Sequence, residues 1–169
     1  MMSEGSFETL RSLVSAARSA RHHRDFSAVV EIVEVAGNTE KGKVTVNHQS
    51  GSWQFLSSGG HRFSYTREEG KTFRYRGETE RGANDPSQKH RAVELFFPLE
   101  MPIWGAKWDL YRLESIRDYG DIIRVDLVDQ ESEDITAYAI FDKEAGVFIE
   151  FSAYWEKRTV TELHYGPKR

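Results

Sequence analysis

The chain has 169 residues, with 23 basic and 27 acidic side chains, a formal net charge of −4, 38% hydrophobic residues and no cysteine. A chain of this length can form one folded domain with a substantial hydrophobic core. The absence of cysteine excludes disulfides, zinc sites with thiolate ligands and thiol nucleophiles. The mildly acidic balance disfavours a nucleic-acid-binding domain, because such domains are usually basic.

The first segment is predicted to be an amphipathic helix over residues 6–24. Phe7, Leu10, Leu13 and Ala17 recur at the spacing of a helix face. Because only one stripe of this helix is apolar, we expect the helix to lie across a larger apolar surface.

From Phe26 onward the hydrophobic pattern alternates with a period of two, which is typical of strands. The joints between strands are short and rich in glycine, and such joints require antiparallel neighbours. The prediction is a mainly β (α+β) fold, in which an antiparallel meander of about ten strands covers 26–77 and 108–165. Its strands are expected near 26–36, 43–49, 52–57, 61–67, 71–77, 108–118, 121–129, 135–142, 147–156 and 158–165.

A sheet of this size must curve, and it can close as a barrel or remain an open half-barrel. The half-barrel explains the amphipathic helix better, because a concave face gives the helix an apolar surface to cover. Strand 108–118 changes phase near Glu114, where Leu110 gives way to Leu113 and Ile116 as the apolar positions. This phase change predicts a β-bulge.

Residues 78–107 interrupt the strands as an insert. A polar loop comes first, and a helical, proline-rich apolar stretch follows near 88–105, with a short helix that ends before Pro98. A long connection with its own apolar residues usually acts as a lid or a plug. The whole chain, 1–169, is predicted to be a single domain.

Sequence motifs for catalysis are lacking. No nucleophile, phosphate-loop or dinucleotide motif occurs, and the six histidines do not have the spacing of metal ligands. The acidic run from Asp129 to Asp134 departs from a calcium loop at its sixth and twelfth positions and is interpreted as a solvated turn. We therefore expect neither enzymatic activity nor a catalytic residue, metal or cofactor.

Alternation places aromatic side chains of three successive strands on one face of the sheet, as in the pairs Trp53–Phe55, Phe63–Tyr65 and Phe73–Tyr75. Arginines of the same strands fall on the other face. Binding of single-stranded nucleic acid needs both residue types on one face, so no nucleic-acid partner is expected.

The order of elements resembles a known superfamily. A leading amphipathic helix is followed by Gly51-Ser52-Trp53-Gln54-Phe55, Arg62-Phe63-Ser64-Tyr65 and Phe73-Arg74-Tyr75, then by the insert and long C-terminal strands. This order is similar to that of the half-barrel superfamily of the lipoprotein carrier LolA, the LppX-type mycobacterial lipoproteins and the sensor domain of RseB. The resemblance implies a concave face that holds acyl chains or other apolar groups, or that docks a protein partner.

Members of that superfamily are exported. The first residues of this chain, Met1 to Gly5, show neither a signal peptide nor a lipobox cysteine. The expected location is therefore the cytoplasm, or outside it if the sequence has been trimmed at its start. No apolar run reaches the ~20 residues that span a bilayer, so the chain is not expected to cross a membrane.

Two functional hypotheses remain. In the first, the chain is a non-catalytic module that binds a hydrophobic small molecule or lipid in the concave face, with Arg74 or Arg76 at the rim for an anionic head group. The candidate ligand-binding residues are Trp53, Phe55, Phe63, Tyr65, Phe73, Tyr75, Trp104 and Trp108.

The second hypothesis is a protein–protein interaction or regulatory module whose sheet is filled by its own helix and insert. About 300 Å³ or more of connected apolar space would favour the first hypothesis, and a packed centre would favour the second.

Overall fold

The computed structural model describes residues 2–82 and 84–166. It contains a long N-terminal helix, eleven strands and a short helical insert between the sixth and seventh strands. The elements are α1 (Glu4–His23), β1 (Asp25–Glu34), β2 (Thr39–Asn47), β3 (Ser52–Ser57), β4 (Arg62–Thr66), β5 (Gly70–Tyr75), β6 (Glu78–Arg81), α2 (Arg91–Glu94), a 3-10 turn (Pro98–Glu100), β7 (Tyr111–Asp118), β8 (Ile122–Asp129), β9 (Thr136–Asp142), β10 (Val147–Ser152) and β11 (Glu156–Tyr165).

All eleven strands belong to one antiparallel sheet, in the order β6-β5-β4-β3-β2-β1-β11-β10-β9-β8-β7. The first and last strands pair at its centre, where Phe26 lies opposite Tyr165 and Glu34 opposite Glu156. The sheet does not close, because β6 and β7 form its two edges. The predicted fold, an open curved antiparallel sheet with an N-terminal helix, is confirmed.

The sheet has one strand more than predicted, because β6 lies in the stretch expected to be a polar loop. Arg76 and Gly77 have φ values of 49° and 83°, and they separate the paired residues Tyr75 and Glu78. Two positive φ values in a two-residue connection are typical of the tight hairpin turn that matches strand twist. The turn therefore returns the chain onto β5, and β6 forms although its four residues are polar and exposed.

The bulge in β7 and the start of α1 can also be compared with the prediction. The bulge expected near Glu114 is confirmed, since the pairing of β7 with β8 shifts between Leu113 and Ser115. The helix begins at Glu4 instead of residue 6, because the Ser3 side chain accepts a hydrogen bond from the Ser6 backbone N–H and caps it.

The insert fills the centre of the concave face. Ala92, Val93, Leu95 and Phe96 are fully buried there, and the backbone N–H of Phe148 donates to the Leu95 carbonyl oxygen at 3.0 Å. The same hydrophobic cluster includes the inner side chains of strands from both halves of the sheet and the buried stripe of α1. The predicted plug is therefore part of the core.

Helix α1 packs against the turn between β9 and β10. Gly146 in this turn has a φ of 76°, and a Cβ atom added there would lie 2.6 Å from the Ala16 carbonyl oxygen and 2.6 Å from the Ala20 Cβ. A glycine at this position therefore permits both the backbone conformation and the close approach of the helix.

We predict that Gly146→Ala lowers the free energy of unfolding by about 3 kcal/mol, because it combines backbone strain with a steric clash against α1. Gly120→Ala is the matched control, since Gly120 also has a positive φ, 96°, but no atom within 4 Å of the added Cβ. The control should lose only about 1 kcal/mol. Urea unfolding monitored by circular dichroism measures both values, and equal losses would contradict the packing of α1 on this turn.

His48 follows β2 and packs between two aromatic rings. The ring centroids of Phe26 and Phe97 lie 5.6 and 4.8 Å from its own. Burial, which disfavours the charged imidazolium, lowers the pKa of His48 to about 4. The unfolded chain therefore binds a proton at His48 at a higher pH than the folded chain does.

We predict that stability falls as the pH is lowered from about 6.5 to about 4, because protonation of His48 favours the unfolded state in this window. His48 should contribute up to about 3 kcal/mol to this loss. His48→Phe should flatten the dependence, as measured by urea unfolding at a series of pH values. An unchanged slope in the variant would show that His48 is not the group responsible.

Candidate functional site

A row of aromatic rings lies on the concave face of β3, β4 and β5. Strand register places Phe55 opposite Phe63 and Phe63 opposite Phe73, with ring centroids 6.5 and 4.7 Å apart. In the neighbouring register position, the rings of Trp53 and Tyr65 stack at 6.3 Å. The structure thus brings these predicted site residues together.

The insert covers only part of this aromatic row. Trp53, Phe55 and Tyr65 are buried, whereas Phe63, Phe73 and Tyr75 are half-buried. Phe63 and Phe73 keep part of their surface exposed although His90 of the insert lies 4.8 Å from Phe63. Apolar surface therefore remains accessible at this end of the concave face.

Two open clefts lie on either side of the Phe63 and Phe73 rings. The first, here called the aromatic cleft, has a volume of about 400 Å³ and is lined mainly by Trp53, Phe63, Lys71, Phe73, Glu80 and His90. The second has a volume of about 550 Å³ and a more polar lining that includes Glu34, Glu40, His61 and Arg91. The centre of the sheet between these clefts and β7 is packed with side chains of the insert.

His90 forms one wall of the aromatic cleft. Its ring stacks on Phe55 at 4.3 Å and lies 4.8 Å from Phe63. Its Nδ1 accepts a hydrogen bond from the Ala92 backbone N–H at 3.1 Å, and its Nε2 lies 3.2 Å from a Glu40 carboxylate oxygen. This pattern requires a neutral ring that donates from Nε2, and burial correspondingly lowers the pKa of His90 to about 4.

A network of ion pairs fastens α2 to the sheet. Arg91 lies 2.9 Å from Glu34 and 2.7 Å from Glu156, and Arg158 lies 2.6 Å from both Glu156 and Glu94. Glu156 and Arg158 are buried, so each charge depends on its partners in place of water. The network fixes the position of the insert and hence of the cleft wall formed by His90.

The sequence did not identify His90 or this ion network as parts of the site. The only signal for His90 was its place just before the predicted short helix, where it acts as the N-cap of α2. The partners Glu34, Glu156 and Arg158 come from the two ends of the chain, and only the pairing of β1 with β11 brings them together.

Two of the predicted ligand-binding residues lie elsewhere. The Trp104 indole N–H donates to the Pro98 carbonyl oxygen of the same insert at 2.8 Å, and its ring stacks against Phe148 of β10 at 6.4 Å. Trp108 is 85% exposed and precedes β7, at the edge of the sheet opposite β6. The structure therefore does not bring these tryptophans to the aromatic cleft.

The two predicted rim arginines are not on the concave face. Arg74 is exposed on the outer face, because it neighbours the inward-facing Phe73 along β5. Arg76 lies in the turn after β5, with its guanidinium carbon 5.0 Å from the centroid of the Tyr75 ring. Neither lines the aromatic cleft.

Exposed apolar side chains cluster at one end of the half-barrel, here called the apolar rim and defined by Val35, Leu110, Tyr154 and Trp155. Val35 and Tyr154 are 74% and 73% exposed. The Val35 N–H donates to the Trp155 carbonyl oxygen at 2.9 Å, which joins the β1–β2 turn to the β10–β11 turn. The predicted acidic turn, Asp129 to Asp134, adjoins them, since the Gln130 N–H donates to the Leu110 carbonyl oxygen at 3.0 Å.

Within 2–82 and 84–166, no three histidine or acidic side chains lie close enough together to hold a metal ion. No helix in the same ranges has the length and apolar character needed to span a bilayer.

No family model matches the sequence, and no curated protein matches it either. Solved structures do match the fold. One is the complex of MucA and MucB from Pseudomonas aeruginosa, with a TM-score of 0.52 and 14% identity over 93% of this chain. This chain covers 57% of the matched chain, so it spans little more than half of that protein.

Two other structures match over nearly the whole of both chains. An uncharacterized conserved protein from Thermus thermophilus has a TM-score of 0.56 and 8% identity, over 95% of this chain and 89% of that chain. The lipoprotein LppX from Mycobacterium tuberculosis has a TM-score of 0.49 and 8% identity, over 98% and 95%. At such identities the likeness concerns the fold alone, and this fold is the open half-barrel that the resemblance of the element order had implied.

Proposed function

We propose that this chain is a non-catalytic binding module that holds a hydrophobic group in the aromatic cleft. The observation that carries the proposal is the pair of half-buried rings of Phe63 and Phe73, which lie 4.7 Å apart on the concave face and which the insert covers only in part. Partly exposed aromatic rings in a concave site are typical of ligand-binding surfaces.

The dimensions of the cleft limit the ligand. A volume of about 400 Å³ is near the lower end of the range for small-molecule sites, which suits one acyl chain or one ring system. The buried insert occupies the remainder of the concave face, so a deeper ligand would require its displacement. Lys71 lines the cleft beside Glu80 and offers a positive charge to an anionic group on the ligand.

The state of His90 supports a non-catalytic role. Both ring nitrogens are engaged, Nδ1 as the cap of α2 and Nε2 with Glu40, and the lowered pKa keeps the ring neutral near pH 7. A general base needs a free ring nitrogen directed at the substrate. In this site His90 instead supports the cleft wall.

We predict that a fluorescent fatty acid binds saturably to the chain and that the double variant Phe63→Ala, Phe73→Ala weakens binding about tenfold or more, because two half-buried contact surfaces are lost. Fluorescence titration measures the dissociation constants. Phe7→Ala, which removes a half-exposed ring from α1, is the control and should leave binding unchanged.

Thermal unfolding of each variant separates loss of the site from loss of the fold. Absence of saturable binding to the wild-type chain, or an equal loss in the folded Phe7→Ala variant, would contradict the proposed ligand site.

A second candidate function is the binding of a protein partner through the apolar rim. It is supported by the packed centre of the concave face and by the exposure of Val35, Tyr154 and Trp155 at one end of the sheet. Contiguous exposed apolar surface is a feature of interaction sites. The matched structure from Pseudomonas aeruginosa is itself a complex of two proteins, MucA and MucB.

For this candidate we predict that a stoichiometric partner purified with the wild-type chain is lost from the double variant Val35→Ser, Tyr154→Ser, because the variant replaces apolar contact surface with hydroxyl groups. Phe7→Ser should retain the partner, since it changes apolar surface on α1 and not on the rim. Affinity purification from native lysate at low and moderate salt provides the measurement. Retention of the partner by the rim variant would exclude the apolar rim as its binding site.

The location of the chain, in the cytoplasm or exported, stays a prediction, and neither candidate function depends on it. The extent of the chain as one domain, 1–169, is likewise a proposal, supported by the single sheet and the single hydrophobic cluster.

A further inference from the structure

The outer face of β2–β6 carries basic and uncharged side chains only. The strand register places every acidic residue of these five strands on the concave face, namely Glu40, Glu78 and Glu80. The outward-facing charged residues are all basic: Lys41, Lys43, Arg62, Arg74 and Arg81. The outer face of β2–β6 is therefore a basic surface, although the net charge of the whole chain is negative.

Two of these arginines are direct cross-strand neighbours. Arg62 on β4 pairs in register with Arg74 on β5, and Leu56 and Thr79 continue the same row on the adjacent strands. Residues in such pairs have Cβ atoms about 5 Å apart, and like charges at this distance destabilise a sheet. Arg76 follows in the turn after β5, next to the same end of the row.

No carboxylate within 2–82 and 84–166 forms an ion pair with Arg62, Arg74 or Arg76. Several other arginines do form ion pairs, as in Arg91 with Glu34, Arg124 with Asp126 and Arg158 with Glu156. The three arginines thus form a cluster without an ion-pair partner among the described residues.

The cluster borders two clefts on the outer face. One, of about 320 Å³, is lined by Leu56, Arg62, Arg74, Tyr75, Arg76 and Thr79, with two glycines and no carboxylate. The other, of about 490 Å³, includes Arg62 and Arg74 with the hydroxyl and amide side chains of Thr45, Gln54, Ser64 and Thr66. Asp25 and Glu69 also line this second cleft, but they belong to the start of β1 and to the turn after β4, at the other end of the strands.

We infer that the Arg62–Arg74–Arg76 cluster is a binding site for an oxyanion of the phosphate type. Guanidinium groups donate paired hydrogen bonds that match the oxygens of phosphate, and a bound anion would relieve the repulsion between Arg62 and Arg74. The phosphate can be inorganic or part of a lipid head group. The site faces away from the aromatic cleft, so it does not depend on the proposed function.

The test compares two sources of phosphate. Inorganic phosphate is titrated while the NMR signals of the arginine side chains are followed, and vesicles of phosphatidylcholine with or without phosphatidylglycerol are used in co-sedimentation. The double variant Arg62→Gln, Arg74→Gln removes the cluster. Arg11→Gln with Arg67→Gln removes the same charge from exposed positions on α1 and in the β4–β5 turn and is the matched control.

We expect salt-dependent binding of at least one source to the wild-type chain, a loss of about tenfold or more in the cluster variant, and little change in the control. Binding to phosphate alone identifies a free anion, whereas binding only to vesicles with phosphatidylglycerol identifies a lipid head group. The bound source should also raise the unfolding temperature of the wild-type chain but not that of the cluster variant.

Three outcomes would overturn the inference. The first is no response to either source, and the second is an equal loss of binding in the control variant. The third is binding to a single-stranded oligonucleotide with no response to phosphate or to vesicles. The cluster variant should remain folded, because removing two opposed like charges relieves repulsion in the sheet.

Discussion

An open, curved antiparallel sheet has an apolar concave face that must be shielded from water. The remaining features of this protein follow from how the chain covers that face. A closed barrel would bury this face on itself, but here β6 and β7 remain edges. The shield consists of α1 and the insert between β6 and β7, whose inward-facing side chains, such as Leu13 and Phe96, are as buried as those of the strands. The insert covers the centre of this face and leaves the Phe63 and Phe73 rings at its β4–β5 end half-exposed.

The ion network explains why the insert takes one defined position on the sheet. Apolar side chains alone can pack in many positions, but Arg91 and Arg158 require carboxylates at defined places on β1, β2, β11 and α2. The hydrogen bonds of His90 add a second constraint, one toward the Ala92 backbone and one toward Glu40. The wall of the aromatic cleft is therefore fixed by polar contacts, while its floor consists of aromatic rings.

Strand alternation gives the two faces of β2–β6 opposite chemistry. The concave face carries the aromatic rings and all the acidic residues of these strands, and the outer face carries five basic residues. One stretch of sheet thus offers apolar surface on one side and positive charge on the other. An apolar ligand on the concave face and an anion on the outer face would consequently be separated by the thickness of the sheet.

Local periodicity was enough to predict most of the elements and the aromatic row. The helical spacing of α1, the alternation of the strands, the short glycine turns and the phase change at Glu114 are properties of neighbouring residues, and all four correspond to the structure. Alternation also sets the face on which Phe63 and Phe73 lie. Which of these rings stays accessible depends instead on long-range packing, since the insert buries Phe55 and leaves the equivalent Phe63 half-exposed. Trp104 and Trp108 were assigned to the site by residue type, although a long connection without periodicity sets their positions. Strand β6, the Glu156–Arg158 network and the Arg62–Arg74 pair arise from contacts made through strand pairing, which local patterns do not encode.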